Sequence, residues 1–419
     1  MNLLRLGVKS LGNRKSTVLL TVATIAISVA LILAVERVRQ NAWTSFSNTV
    51  SGADIIVGAR SGAVQLLLYS VFRIGNATNN ISYRSFSEIA DRKEVNWAIP
   101  ISLGDSHRGY RVMGTNAEYF DHYKFGNKRS LAFSGGDRFS DLFDVVLGVD
   151  VAETLGYQLG DKIVIAHGGG SVAFIKHDDK PFVVKGILQR TGTPVDRTLH
   201  VSLEAIEAIH IDWKDGAKIS GQNVPADVVR KLPLKPKSVT AMIVGLESRI
   251  AVFGTQRWIN NYTEEPLLAI LPGVALQELW SLVRVAEKAL LMVSLFVIAA
   301  AFVGMVAVSL AGLTERRREI AILRATGAGF RNIFGLLFME MALLTLAGII
   351  MGVLIVYLAQ FLGQEVLELR FGLYMPLSLP TATEWRLLAG VFSAGVLAGL
   401  IPAYRAYRNS LADGLTARL

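Results

Sequence analysis

The sequence predicts a membrane α-helical protein with four transmembrane helices and a mixed α+β periplasmic domain inserted between the first and the second. Three observations carry this reading. A mean hydropathy of +0.41 with only 18% charged residues over 419 positions is too apolar for a pair of soluble domains, yet leaves room for a large polar part. Four apolar stretches with few or no charges are each long enough to cross a hydrocarbon core. The Lys and Arg residues flanking those stretches all fall on one side if the chain crosses four times.

Residues 1–16 form a basic, amphipathic amino terminus carrying Arg5, Lys9, Arg14 and Lys15, and residues 17–34 form the first span. That span has no charge and rises about 27 Å as a helix, close to the thickness of a hydrocarbon core. The basic flank would also suit the n-region of a signal peptide, with Ala34 imitating a cleavage site. The length of the run favours an anchor, because signal h-regions usually stop at about 15 residues.

The second span covers 289–313, the third 333–362 and the fourth 387–404. Gly348 with Gly352 and Gly395 with Gly399 form GxxxG, and Ala300 with Gly304 a looser version. Small residues at this spacing let helix backbones approach closely in lipid. Gly and Ala are also simply common in membrane helices, and the sequence leaves both readings open.

Orientation follows from the short flanks. The amino terminus, the segment 314–332 with Arg316, Arg317, Arg318, Arg324 and Arg331, and residues 405–419 with Arg405 and Arg408 share one side, predicted to be cytoplasmic. The opposite side then receives residues 35–288 and a short loop, 363–386. The same placement accounts for the net charge of +9: the positives crowd beside apolar runs, as topology and anionic headgroups require, which argues against nucleic-acid binding.

Past Ala34 the pattern turns polar without a Pro or Gly stop, so the first helix is expected to continue. Before the second span, Leu276, Leu279, Leu282, Val283 and Ala286 form an amphipathic face. Together the two extensions would make a stalk; the alternative is a helix packed on its own domain. Within the domain, KIVIAH, FVVKGIL and VTAMIVGL read as strands. SFSEIADR and SLEAIEAIH read as short helices opened by their first Ser, and the glycines at 168–170 as a hairpin or loop. The uncharged run 63–72, AVQLLLYSVF, is too short to span. It either enters the domain core or offers Leu66, Leu67, Leu68 and Phe72 as an apolar surface for cargo.

The chain has no cysteine, which excludes disulfides, thiolate metal sites and a Cys nucleophile. Its six histidines form no HExxH pair, and HDD at 177–179 reads more readily as a solvated loop than as a metal site. No GxxxxGK[ST] and no GxSxG occurs, so the chain is expected to be neither an ATPase nor a hydrolase, and to bind no cofactor or metal.

The most informative segment is TERRREIAILRATGAGFRN, 314–332. Ile320, Leu323 and Gly327 fall on one helix face, with Arg316, Arg317, Glu319 and Arg324 around it. This suits docking of a protein partner. A basic helix clamped to headgroups is the alternative, to which Glu315 and Glu319 are ill suited.

The stretch ERRREIAILRATGA, 315–328, resembles the signature that follows the second span of FtsX-like permeases, the MacB and LolC/LolE class of ABC transporters. LRLGVKSLGNRKSTVLLTVATIAISVALI near the amino terminus, GYQLGDKIVIAHGG in the domain and the closing IPAYRAYRNSLADGLTARL agree in order, so the resemblance covers nearly the whole chain. It implies a dimeric inner-membrane permease that binds two copies of a separate LolD/MacB-type ATPase, which holds the ATP and Mg. A periplasmic adaptor or binding protein and membrane lipid are further implied partners. The family mechanism it implies transmits ATP-driven closure to the periplasmic domain, with no conventional path for cargo through the membrane. Glu315, Arg316, Arg317, Glu319, Ile320, Leu323, Arg324 and Gly327 would contact the ATPase, and Glu340 corresponds to an acid early in the third span. Such an acid should sit near an edge or be paired, for instance with an arginine of 316–324. The chain departs from MacB in lacking a fused nucleotide-binding domain. Movement of an amphipathic cargo and signalling to a periplasmic partner without transport both remain open at this point.

Overall fold

A computed structural model describes residues 14–49, 51–126, 128–167, 179–214, 217–218, 224–315, 329–371 and 377–413. The chain divides into two compact units, Met1–Asn41 with Val283–Leu419, and Ala42–Leu282.

Four long helices carry the apolar stretches: Lys15–Thr49 (α1), Pro272–Glu315, Phe330–Phe371 and Ala382–Asp413. Their candidate spans are Lys15–Asn41, Pro272–Leu313, Arg331–Gln364 and Ala382–Ala406. The helices outrun the predicted spans at both ends. Most of the loop expected at 363–386 is helical, because no Pro or Gly pair follows Gly363 before Phe371 and the last helix starts at Ala382. In the first unit Ile25, Val29, Phe302, Met305, Met341, Leu344, Leu388 and Val391 form the bundle core. Leu19, Leu20, Phe296, Leu354 and Phe361 point outward and are more than half exposed. A helix apolar on its outer face as well as its inner one is a lipid-facing helix.

The second unit is built on one mixed sheet. Its strands, in chain order, are Ile55–Ala59 (β1), Val95–His107 (β2), Tyr110–Thr115 (β3), Phe133–Gly136 (β4), Asp144–Leu147 (β5), Lys162–Ile163 (β6), Ala166–His167 (β7), Phe182–Leu188 (β8), Thr198–Ser202 (β9), Ala241–Leu246 (β10) and Leu267–Ile270 (β11). The order across the sheet is β11-β1-β10-β2-β3-β9-β5-β8-β4, with β7 added on β2 and β6 on β8. β3 with β9 and β5 with β8 are parallel; the other pairs are antiparallel.

Alternation along the strands feeds two opposite cores. Val112, Val145, Leu147, Leu199 and Val201 enter one, while their neighbours Met113 and Val146 enter the other with Tyr119, Phe120 and Tyr123. KIVIAH is split into β6 and β7 rather than forming one strand. Helix α2 is Ala63–Ser70, α3 is Tyr83–Ala90 and α4 is Leu203–Ile209. Ser202 caps α4 as read, accepting from the Ala205 amide at 3.1 Å. The cap of α3 is Ser82, not Ser85: its hydroxyl accepts from the Ser85 amide at 3.1 Å, which starts the helix before the acid-bearing stretch.

His200 on β9 is fully buried, stacked on Tyr119 with ring centroids 5.2 Å apart. Its Nδ1 lies 3.3 Å from the Val146 carbonyl. Desolvation, helped by the nearby Arg73 charge, pushes its pKa down from 6.5 to about 3. Between those values the unfolded chain holds one more proton than the folded one. Stability should therefore fall on acidification below pH 6.5, by about 1.4 kcal/mol per pH unit from this group. Replacing His200 by Asn should flatten the pH dependence of thermal unfolding between pH 6 and 4; an identical slope in the variant would remove the histidine from the account.

Candidate functional site

Arg37 sits on α1 just past the uncharged run. About 33 Å of helix separates it from Lys15, which puts it near the far edge of a hydrocarbon core. It is 7% exposed, Glu384 2% and Gln360 6%. Arg37 Nε donates to Glu384 Oε1 at 2.7 Å, its Nη1 donates to Gln360 Oε1 at 2.5 Å, and the guanidinium lies 4.2 Å over the Tyr357 ring. Glu384 is also the third residue of a helix start. Its Oε2 accepts from the Thr381 amide at 2.7 Å, and Thr381 Oγ1 accepts from the Glu384 amide at 3.3 Å, the reciprocal pair of a capping box. Around this centre Arg39 binds Glu36 through two bonds of 2.7 and 2.8 Å and faces Glu287 at 3.5 Å. Gln40 links Glu36 to Thr381, and the Tyr357 hydroxyl donates to the Ser378 carbonyl at 2.7 Å. A low-dielectric surround makes such a network stiff only because its groups are mutually satisfied.

The helix-packing glycines separate into two groups. A Cβ at Gly348 would lie 2.5 Å from Ile25 Cγ2, and one at Gly352 would lie 2.7 Å from the Ala26 carbonyl oxygen and from Val29 Cβ, so the third span closes on the first. At Gly395 the neighbours are Thr345 at 2.5 Å and Phe302 at 3.0 Å, and at Gly399 Met341 Cβ at 2.6 Å, which closes the fourth span on the third. Gly304 has nothing within 4 Å of its Cβ position. It is exposed and is no packing residue of this bundle: the looser motif lies on the outward face, while Ala301 and Phe302 face the core. Glu340 is 3% exposed within the bundle.

The proposed coupling residues Arg316, Arg317, Glu319, Ile320, Leu323, Arg324 and Gly327 lie outside the described residues, as do the arginines suggested as partners of Glu340. Glu315 is the last residue of its helix.

The run 63–72 is not a cargo surface. Leu66 and Leu67 are wholly buried and Phe72 is 7% exposed; with Ile56, Tyr69, Ala241 and Ile270 they form a core against which Leu68 packs. The physical reason is periodicity: α2 lies across β1 and β10, and an apolar helix placed on a sheet buries its long side chains. Leu276 and Leu279 join the same core, whereas Leu282, Val283 and Ala286 are exposed. The amphipathic face is thus shared between packing on the domain and open surface.

Among the described residues, no three His, Cys, Asp or Glu side chains group as metal ligands. Asp179 of the HDD sequence is engaged by Lys180 at 2.8 Å, and the buried Lys180 also meets Asp212 at 3.0 Å. Neither the Arg37 network nor this pair was visible in the sequence. The one local signal for the former was the T-x-x-E spacing of Thr381 and Glu384.

A family model for the MacB-like periplasmic core domain matches residues 18–258, and one for the FtsX-like permease C-terminal region matches residues 291–411. The chain belongs to the FtsX-like permeases with a MacB-like core. It is an ABC transporter permease of the LolC/MacB type, a multi-pass inner-membrane protein with a periplasmic domain inserted after its first helix. The family implies an ABC ATPase as partner of this permease subunit. A similar protein is the lipoprotein-releasing system transmembrane protein LolC of Neisseria meningitidis serogroup B, 22% identical over 90% of this chain and 95% of that one. Similar solved structures include the periplasmic region of MacB from Actinobacillus actinomycetemcomitans, at 11% identity and a TM-score of 0.33 over 55% of this permease and 94% of that chain. The extracellular domain of the noncanonic ABC-type transporter YknZ from Gram-positive bacteria matches at 13% identity and a TM-score of 0.31, over 52% of this permease and 99% of that domain.

Proposed function

We propose that this permease couples ATP hydrolysis by a separate LolD/MacB-type ATPase to the handling of an amphipathic cargo, a lipoprotein, lipid or peptide, at the periplasmic face of the membrane. The observation that carries the reading is the similarity to a lipoprotein-releasing permease along 95% of that protein's length, in a chain that has no phosphate-binding loop of its own. Two permeases and two ATPases form the working assembly. The Lys and Arg bias supports a cytoplasmic position for both termini and for the 314–332 segment, whose Glu315, Arg316, Arg317, Glu319 and Arg324 are the residues proposed to meet the ATPase. ATP and Mg are held by that partner. Force entering there reaches the periplasmic domain as mechanical movement.

The test is affinity purification of the detergent-solubilised permease, with identification of the bound ATPase and of any lipid, lipoprotein or peptide that accompanies it. Reversing Arg316, Arg317 and Glu319 together should abolish co-purification of the ATPase while membrane insertion is kept. Retention of the ATPase by that variant would refute the docking role of the segment. Absence of any amphipathic cargo from an intact permease–ATPase complex would favour signalling over transport.

A further inference from the structure

The loop that follows α2 turns over the β2–β3 hairpin and leaves an open cleft of about 480 Å³, lined by Arg73, Gly75, Asn76, Thr78, Asn79 and Arg111 among others. This volume lies within the range of small-molecule sites, roughly 300–1,000 Å³. Its lining holds two arginines and three asparagines and no acidic residue.

The backbone on both sides of the cleft departs from regular geometry. Arg73 has φ +60 and Gly75 φ +78, and a left-handed conformation at a residue with a Cβ costs on the order of 1–2 kcal/mol. Opposite, the β2–β3 register slips between Leu103 and Ser106, a bulge that turns Gly104 toward the cleft. Bulges concentrate beside functional sites, where they re-aim a strand. Arg111 Nη2 donates to the Gly75 carbonyl at 3.1 Å, pinning the loop over the hairpin while the side chain stays partly exposed.

The charge is not neutralised from within. Arg73 turns inward, where its Nη2 contacts Met113 Sδ at 2.6 Å. Its Nε and Nη1 are shut off from solvent, and the polar group that acts on the guanidinium as a hydrogen-bond partner is the neutral Tyr119 hydroxyl. The ionisable groups that act on it are Tyr119, Tyr123 and His200, none of them a carboxylate. Arg73 is half-buried, and a cation so placed with no carboxylate acting on it is costly. With Arg73 in its wall and Arg111 at its mouth, the cleft presents positive potential, the donors of the Arg111 guanidinium and side-chain amides, the set that recognises phosphate and carboxylate.

We propose that this cleft binds an oxyanion, a phosphate or carboxylate carried on a polar molecule. The cleft is several times larger than one oxyanion, so the remainder of the ligand is a polar body against Asn76, Thr78, Asn79 and Asn80. A lipid headgroup and a free anionic solute share this chemistry.

Equilibrium dialysis of the full chain in a non-ionic detergent, with inorganic phosphate, succinate and monomeric dihexanoyl-phosphatidylglycerol as separate probes, tests the inference. At least one probe should bind. Asn79→Asp places a carboxylate in the exposed lining without altering the scaffold, and Arg111→Gln removes the cation at the mouth. Each should weaken binding by about tenfold or more, the effect of losing one charge-assisted contact, with unfolding temperatures in the absence of ligand unchanged for Asn79→Asp. Binding of phosphate or succinate that the lipid does not displace identifies a free anion. Binding of the lipid alone, or its displacement of phosphate, identifies a headgroup. Failure of all three probes to bind, or binding equal in wild type and Asn79→Asp, overturns the proposal.

Discussion

Replacing Glu384 by Ala is expected to destabilise the solubilised permease by about 3–5 kcal/mol, the usual consequence of leaving a buried ion without its partner. Two effects combine in that variant. Arg37 keeps its charge at 7% exposure, with the neutral Gln360 and the Tyr357 ring as its remaining described side-chain partners. The Thr381 amide also loses its acceptor, a cap contribution of about 1 kcal/mol. Glu384→Gln separates the two, because an amide oxygen still accepts from Thr381 while the carboxylate is gone. It should lose less than the Ala variant. Adding Arg37→Met to Glu384→Gln should recover most of the loss, since a neutral pair strands no charge. Thermal unfolding in detergent, followed by loss of the monodisperse peak, reads all four proteins. Equal stability of Glu384→Ala and wild type would show that the ion pair is solvated and weak.

The second large effect is steric. A leucine at Gly352 must place its Cβ 2.7 Å from the Ala26 carbonyl oxygen and from Val29 Cβ. One obstacle is backbone and the other is a β-branched side chain held in its helical rotamer. Neither can yield, so the third span must move off the first, at a cost of about 3 kcal/mol or more. Gly304→Leu is the matched control, because its Cβ position is open. A sharp drop in the yield of folded protein for Gly352→Leu with a normal yield for Gly304→Leu is the expected pattern. Comparable behaviour of the two would mean that helix contacts in the membrane differ from those in this bundle.

These glycines also mark how far the sequence could be read. Spacing alone places Gly348 with Gly352, and Gly395 with Gly399, on one face each, so their role in close approach was legible. Which faces meet is a tertiary fact, and the same spacing at Ala300 and Gly304 points outward. The run 63–72 shows the same boundary. Its apolar character was plain, but whether it covers a sheet or faces solvent depends on β1 and β10, whose strands it packs against only after folding. Arg37 and Glu384 lie 347 positions apart, and no local pattern links them. The arginines at 316–318 were the strongest signal in the sequence, because charge beside an apolar run is informative without any knowledge of packing. Arg73 and Arg111 gave none: a single arginine after an apolar run or within a short strand looks the same whether it is solvated or turned inward.

One carboxylate, that of Glu384, serves both the start of the last helix and the ion pair that ties it to the first. Substitutions at this position therefore cannot be neutral for one role while altering the other, apart from the amide. A chimera that exchanges the last helix between related permeases should accordingly carry Thr381, Glu384 and Arg37 as a single inherited set. A donor helix with a different cap would arrive correctly folded along its length yet leave the recipient's first helix with an unmatched charge.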